Sequence, residues 1–87
     1  MRDDTCIPLS MTQFVILRTL IDSFGSPVTS RDIIQSVWTY DETISDSNLY
    51  VYINRLRKKI EENPSRPKYL ITIRGLGYLL NTIVANN

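Results

Sequence analysis

Apolar side chains recur at helical spacing three times along the chain and then change to a strand-like pattern near the C-terminus. Phe14, Leu17, Ile21 and Phe24, widened by Leu20, form the first stripe and predict a helix that opens at Ser10. Ser10-Met11-Thr12-Gln13 has the form of a capping box, and Gly25 followed by Pro27 supplies the stop. Ile33, Ile34, Val37 and Trp38 form the second stripe, with Thr29 as its cap and Asp32 at the third position. From Thr39 to Ser45 no apolar period survives, which predicts a loop. A third helix then begins with Asp46 as cap and is closed by Asn63-Pro64. Its Leu49, Ile53, Leu56 and Ile60 lie within about 60° of one another on a helical wheel. After Pro67, Tyr69-Leu70-Ile71-Thr72-Ile73 is rich in β-forming types, Gly75 and Gly77 mark a turn, and Tyr78-Leu79-Leu80 returns as a second strand. Thr5 and Ile7 around Cys6 suggest a short N-terminal strand ended by Pro8. Ala85-Asn86-Asn87 should fray.

Three helices followed by a hairpin predict an α+β winged helix-turn-helix with a short N-terminal strand. The 87 residues make one domain, spanning 1–87, with roughly 60–65% of the unfolded surface buried on folding. No apolar run reaches the roughly 18–20 residues of a membrane span, and no leader pattern is present. The expected location is therefore the cytoplasm. Cys6 is the sole cysteine and there is no histidine, which excludes an internal disulfide and every Cys/His zinc finger. Without a metal-ligand cluster, or a nucleophile paired with a base, no catalysis, metal or cofactor is expected.

Charge sharpens this picture. The net charge of +1 conceals a division: residues 1–46 carry seven carboxylates against three arginines, whereas residues 47–87 carry seven cationic side chains against two carboxylates. A localised polyanion-binding face follows. Opposite the apolar stripe of the third helix stand Ser47, Val51, Asn54, Arg55 and Lys58, with Asn48 at the margin. Arg and Lys donate to guanine or phosphate, Asn bonds adenine bidentately, and Val touches a thymine methyl. Charge alone favours a solvated face whose cations complement the helix dipole. Arg74, at the entry to a two-glycine tip that can approach another backbone closely, favours the nucleic-acid reading. Gly75-Leu76-Gly77-Tyr78 lacks the third glycine and the following helix of a phosphate-cradling enzyme loop. Tyr50 and Tyr52 flank the apolar stripe as packing residues, and Trp38 belongs at or near the core. The alternative from another class is a protein–protein assembly module docking through Trp38 and the acidic Tyr40-Asp41-Glu42 loop.

Leu9-Ser10-Met11-Thr12-Gln13-Phe14, Val28-Thr29, Val37-Trp38, Val51-Tyr52-Ile53-Asn54-Arg55-Leu56-Arg57-Lys58-Lys59-Ile60 and Thr72-Ile73-Arg74-Gly75-Leu76-Gly77-Tyr78 together resemble the OmpR/PhoB-type winged-helix effector domain of two-component response regulators. The likeness covers roughly residues 7 to 80. It implies sequence-specific binding of double-stranded DNA for transcription control, with the third helix in the major groove and Arg74 in the minor groove. It further implies base or phosphate contacts by Asn54, Arg55, Arg57 and Lys58, and a backbone contact by Thr72. The loop containing Thr39, Tyr40, Asp41, Glu42 and Thr43 matches the surface that engages RNA polymerase, and tandem homodimers on direct-repeat half-sites are the expected assembly. Some positions depart from the pattern. Gln13 replaces a usual glutamate, Tyr50 and Tyr52 stand where aspartate and histidine are frequent, and Ser30 stands where a basic residue is common. Only Met1 to Pro8 precede Leu9, where the family has a small sheet and, before it, a phosphoacceptor receiver. A DNA-binding fragment without its receiver is therefore expected.

Overall fold

The computed structural model describes residues 8–39 and 43–81. In chain order it contains α1 (Met11–Asp22), β1 (Val28–Thr29), α2 (Ser30–Val37), α3 (Asp46–Ile60), β2 (Leu70–Ile73) and β3 (Gly77–Leu80). The expected strand around Thr5 to Ile7 lies outside the described residues.

The α1 capping box forms as the sequence requires. The Gln13 N–H donates to Ser10 Oγ at 3.1 Å and the Ser10 N–H donates to Gln13 Oε1 at 3.0 Å. The α2 cap is also as expected, with the Asp32 N–H donating to Thr29 Oγ1. The α3 boundaries differ from the sequence reading. Ser45, not Asp46, is the N-cap, and Asp46 is the first helical residue. Asn48 completes a capping box by accepting from the Ser45 N–H at 2.9 Å. Either Ser45 or Asp46 has the side chain for a cap, and the Asn48 amide three residues on decides in favour of Ser45. At the other end, α3 stops at Ile60 because Glu61 turns extended, three residues before Pro64.

The sheet has the order β1-β3-β2 and is antiparallel throughout. The β2–β3 wing pairs Leu70 with Leu80 and Ile73 with Gly77, while β1 pairs Val28 with Tyr78 and Thr29 with Gly77. The two-residue β1 strand was not foreseen, since two residues are too few to show a period. It nevertheless fixes the wing to the entry of α2, assisted by a 3.1 Å bond from the Ser30 N–H to the Leu76 carbonyl. Ile16, Leu20, Ile33, Leu49, Ile53, Leu56 and Leu70 are fully buried. Val28, Tyr78 and Leu80 join them to close the core between the helices and the sheet.

The α1 stripe requires a correction. Of the expected stripe, Leu20 is buried and Leu17 packs against the core, but Phe14, Ile21 and Phe24 are about half exposed, at 50%, 47% and 51%, and Ile16 and Gln13 face inward instead. This helix carries two apolar rows, and only the row through Ile16 and Leu20 is directed at α2, α3 and the sheet.

Candidate nucleic-acid interface

The three buried residues Leu49, Ile53 and Leu56 anchor α3 on the core and turn the opposite side of the helix to solvent. That side presents Ser47, Asn48, Val51, Arg55 and Lys58, all exposed. Asn48 keeps its amide oxygen in the capping box, so only its NH2 group remains for other partners. Asn54 is half-buried and its Oδ1 accepts from Arg57 Nη1 at 3.4 Å.

Arg57, to which family resemblance gives a base or phosphate contact, is held between α3 and the wing. Its side chain is buried, with only 6% of the residue exposed. Nε and Nη2 both donate to the Leu70 carbonyl, at 3.0 and 2.8 Å, and Nη2 also donates to Thr72 Oγ1 at 2.8 Å. The guanidinium carbon lies 5.9 Å from the centre of the Tyr78 ring. Arg57 is therefore a strut between α3 and the wing, and its neighbour Thr72 has its hydroxyl engaged by that strut. Burial raises the Tyr78 phenol above the ordinary tyrosine range; the Arg57 charge opposes this rise, and Tyr50 and Asp46 add to it.

The wing stands beside α3. An open groove of about 420 Å³ runs between them, lined by Ser47 and Tyr50 of α3 and by Thr72, Ile73 and Gly75 of the hairpin. Arg74 is exposed at the hairpin tip. There Gly75 adopts φ +78°, a left-handed conformation that makes the turn. Gly77 serves another purpose: a Cβ at this position would overlap the Val28 carbonyl and crowd the Ser30 nitrogen. The structure thus joins Asn54, Arg57 and Thr72 by hydrogen bonds, with Ser47, Asn48, Val51, Arg55 and Lys58 on the solvent face and Arg74 exposed at the hairpin tip.

Three further elements escaped sequence reasoning. The first is an aromatic pair: Trp38, the C-cap of α2, has its ring centre 5.0 Å from that of Tyr52, with the planes inclined at 57°. The Arg55 guanidinium lies 5.7 Å from the Tyr52 ring centre. The second is Glu61, buried at the end of α3, whose carboxylate accepts from the N–H groups of Lys68, Tyr69 and Leu70 at 2.8–2.9 Å. The third is Lys59, which donates to Gln13 Oε1 and the Pro8 carbonyl, both at 2.7 Å, and is thereby tied to α1. Only the i, i+3 spacing of Tyr52 and Arg55 was a signal available beforehand. Of the acidic loop, Thr39 donates to the Gln35 carbonyl and Thr43 is exposed, while Tyr40, Asp41 and Glu42 lie outside the described residues. Among the described residues there is no cluster of metal-ligating side chains and no helix long and apolar enough to cross a membrane.

Comparison with known proteins decides the family. The model of the family "Transcriptional regulatory protein, C terminal" matches residues 4–80. The chain belongs to this family, the OmpR/PhoB-type domain. The family consists of transcriptional regulators and not of enzymes. A probable transcriptional regulator, ycf27 of Cyanophora paradoxa, is 43% identical over 75 residues, covering 84% of this chain and 31% of that protein. Among solved structures, the Thermotoga maritima response regulator DrrB, an OmpR/PhoB homologue, matches with a TM-score of 0.79 and 36% identity, covering 86% of this chain and 34% of its own. The DNA-binding domain of Klebsiella pneumoniae RstA, solved in complex with the RstA box, matches with a TM-score of 0.75 and 28% identity over 86% of this chain and 74% of its own. The OmpR/PhoB-type chain thus spans about a third of the regulator ycf27 and of DrrB.

Proposed function

We propose that this OmpR/PhoB-type domain binds duplex DNA sequence-specifically to control transcription, with α3 in the major groove and the wing on the adjacent backbone or minor groove. The observation that carries this reading is a single exposed α3 face bearing Ser47, Val51, Arg55 and Lys58 beside a hairpin that ends in exposed Arg74. A helix of this width enters a major groove, and its Arg and Lys donors suit guanine edges and phosphates. The RstA domain, alike in fold, was solved on its own DNA box, which supports duplex DNA as the ligand here. In this reading Arg55 and Lys58 are the principal groove contacts, with Asn48, Asn54, Ser47 and Val51 around them. Arg74 supplies a salt-dependent wing contact, and Thr72 and Arg57 hold the wing in place. Tandem dimers on direct repeats, contact of the 39–43 loop with RNA polymerase and a cytoplasmic location follow from family resemblance and belong to the same proposal. Trp38 is packed against Tyr52, which leaves less free surface for a protein-docking role.

Selecting bound duplexes from a random pool and measuring affinity at several salt concentrations tests the proposal. On the selected duplex Arg55→Ala should cost about 1–3 kcal/mol. Arg74→Ala should weaken binding and reduce the salt slope by about one unit or less. Unchanged affinity in Arg55→Ala would remove Arg55 from the interface. Absence of binding to any duplex at low salt would favour the assembly module instead.

A further inference from the structure

The arrangement of Trp38, Tyr52 and Arg55 has no counterpart in the contact pattern that family resemblance supplies, because Tyr52 stands where histidine is frequent. Tyr52 is half-buried, and its ring is seated on Trp38, itself half-buried at the end of α2. Inclined rings at a 5.0 Å separation fall within the favourable range for aromatic pairs, so the ring has a fixed wall behind it. Its remaining surface is directed at Arg55, one helical turn further along α3. An exposed arginine samples many rotamers and loses that freedom when it binds. A guanidinium held near an aromatic face has fewer rotamers to lose. It also keeps its N–H donors free, because the ring engages the cation and not the hydrogen-bonding edge.

We infer that Tyr52, braced by Trp38, is a positioning residue that preorganises the Arg55 guanidinium for the DNA groove; this rests on the DNA-binding reading above. Tyr52 itself touches no base in this mechanism and acts through Arg55. The aromatic ring is the required element and the phenol hydroxyl is not.

The test combines NMR of the free domain with a double-mutant cycle on a selected duplex. In the wild type, the Arg55 side-chain protons should be shifted upfield by the Tyr52 ring, the shift persisting in Tyr52→Phe and vanishing in Tyr52→Leu. Tyr52→Leu should weaken binding by about two- to five-fold, the range of an exposed cation–π contact. Tyr52→Phe should bind as the wild type does. In an Arg55→Ala background, Tyr52→Leu should then have no further effect. Equal losses from Tyr52→Leu in both backgrounds would show that Tyr52 only supports the fold, and a Tyr52→Phe loss as large as that of Tyr52→Leu would assign the effect to the hydroxyl and overturn the inference. Unshifted Arg55 protons in the wild type would overturn the inference without any variant having to fold. Failure of the wild type to select any duplex overturns the DNA reading itself, and is distinguishable because the ring shift is measured without DNA.

Discussion

Arg55 and Arg57 stand two positions apart on α3, which is about 200° around the helix, and that angle separates their chemistry. Arg55 lies on the solvent side near Tyr52, whereas Arg57 lies at the border of the buried stripe where the wing closes over it. A charged group is buried at modest cost only when its donors are satisfied, and Arg57 donates to Leu70, Thr72 and Asn54. Arg57→Ala would leave the buried Leu70 carbonyl without its side-chain donors. It should lower stability by about 2–3 kcal/mol, measured by urea unfolding, with amide shifts concentrated in β2. Arg57→Lys should recover only part of this, since one ammonium cannot reproduce the planar fork. Family resemblance had grouped both arginines with the DNA contacts, and only the packed wing revealed the acceptors of Arg57.

The elements are held at their ends by side chains that local sequence partly discloses. Capping boxes at Ser10 and Ser45 use residues three apart, so α1 and α2 could be started correctly and α3 to within one residue. Glu61 was not legible, because the three N–H groups it receives belong to a segment seven to nine residues later. Glu61→Gln replaces one acceptor oxygen by a donor facing backbone N–H groups. It should cost about 1–3 kcal/mol in thermal unfolding and speed amide exchange at Tyr69 and Leu70. Gly77 belongs to this scale as well. In Gly77→Ala the added methyl meets backbone at Val28, which cannot rotate away. The expected loss is about 1–3 kcal/mol, with increased amide exchange where β1 pairs with β3. Wild-type exchange at those amides would contradict the assigned role.

Across the whole molecule, Tyr78 couples the sheet to the helices. It pairs with Val28 and Thr72 across β3, packs in the core and lies beside Arg57. Its phenol is raised above the ordinary range in the folded chain, so the folded state holds that proton more tightly than the unfolded state. This contribution is fully present below the unfolded value of about 10 and is lost as pH rises through the folded value. Stability should therefore fall as pH rises above about 10, and Tyr78→Phe should flatten that fall. Equal slopes in urea titrations of the two proteins would refute the assignment.

What the sequence by itself determined was the order of the three helices and hairpin, the inner row of α3 and its cationic outer row, because these depend on periodicity and capping within a few residues. The tertiary structure decided what depends on partners distant in the chain. It chose between the two apolar rows of α1, turning Ile16 and Leu20 inward and leaving Phe14 and Ile21 half exposed. It paired the two-residue β1 with β3, buried Arg57 under the wing, and set Tyr52 between Trp38 and Arg55. Helical spacing establishes which side chains share a face, but the neighbouring elements determine whether that face meets a core, a strut or solvent.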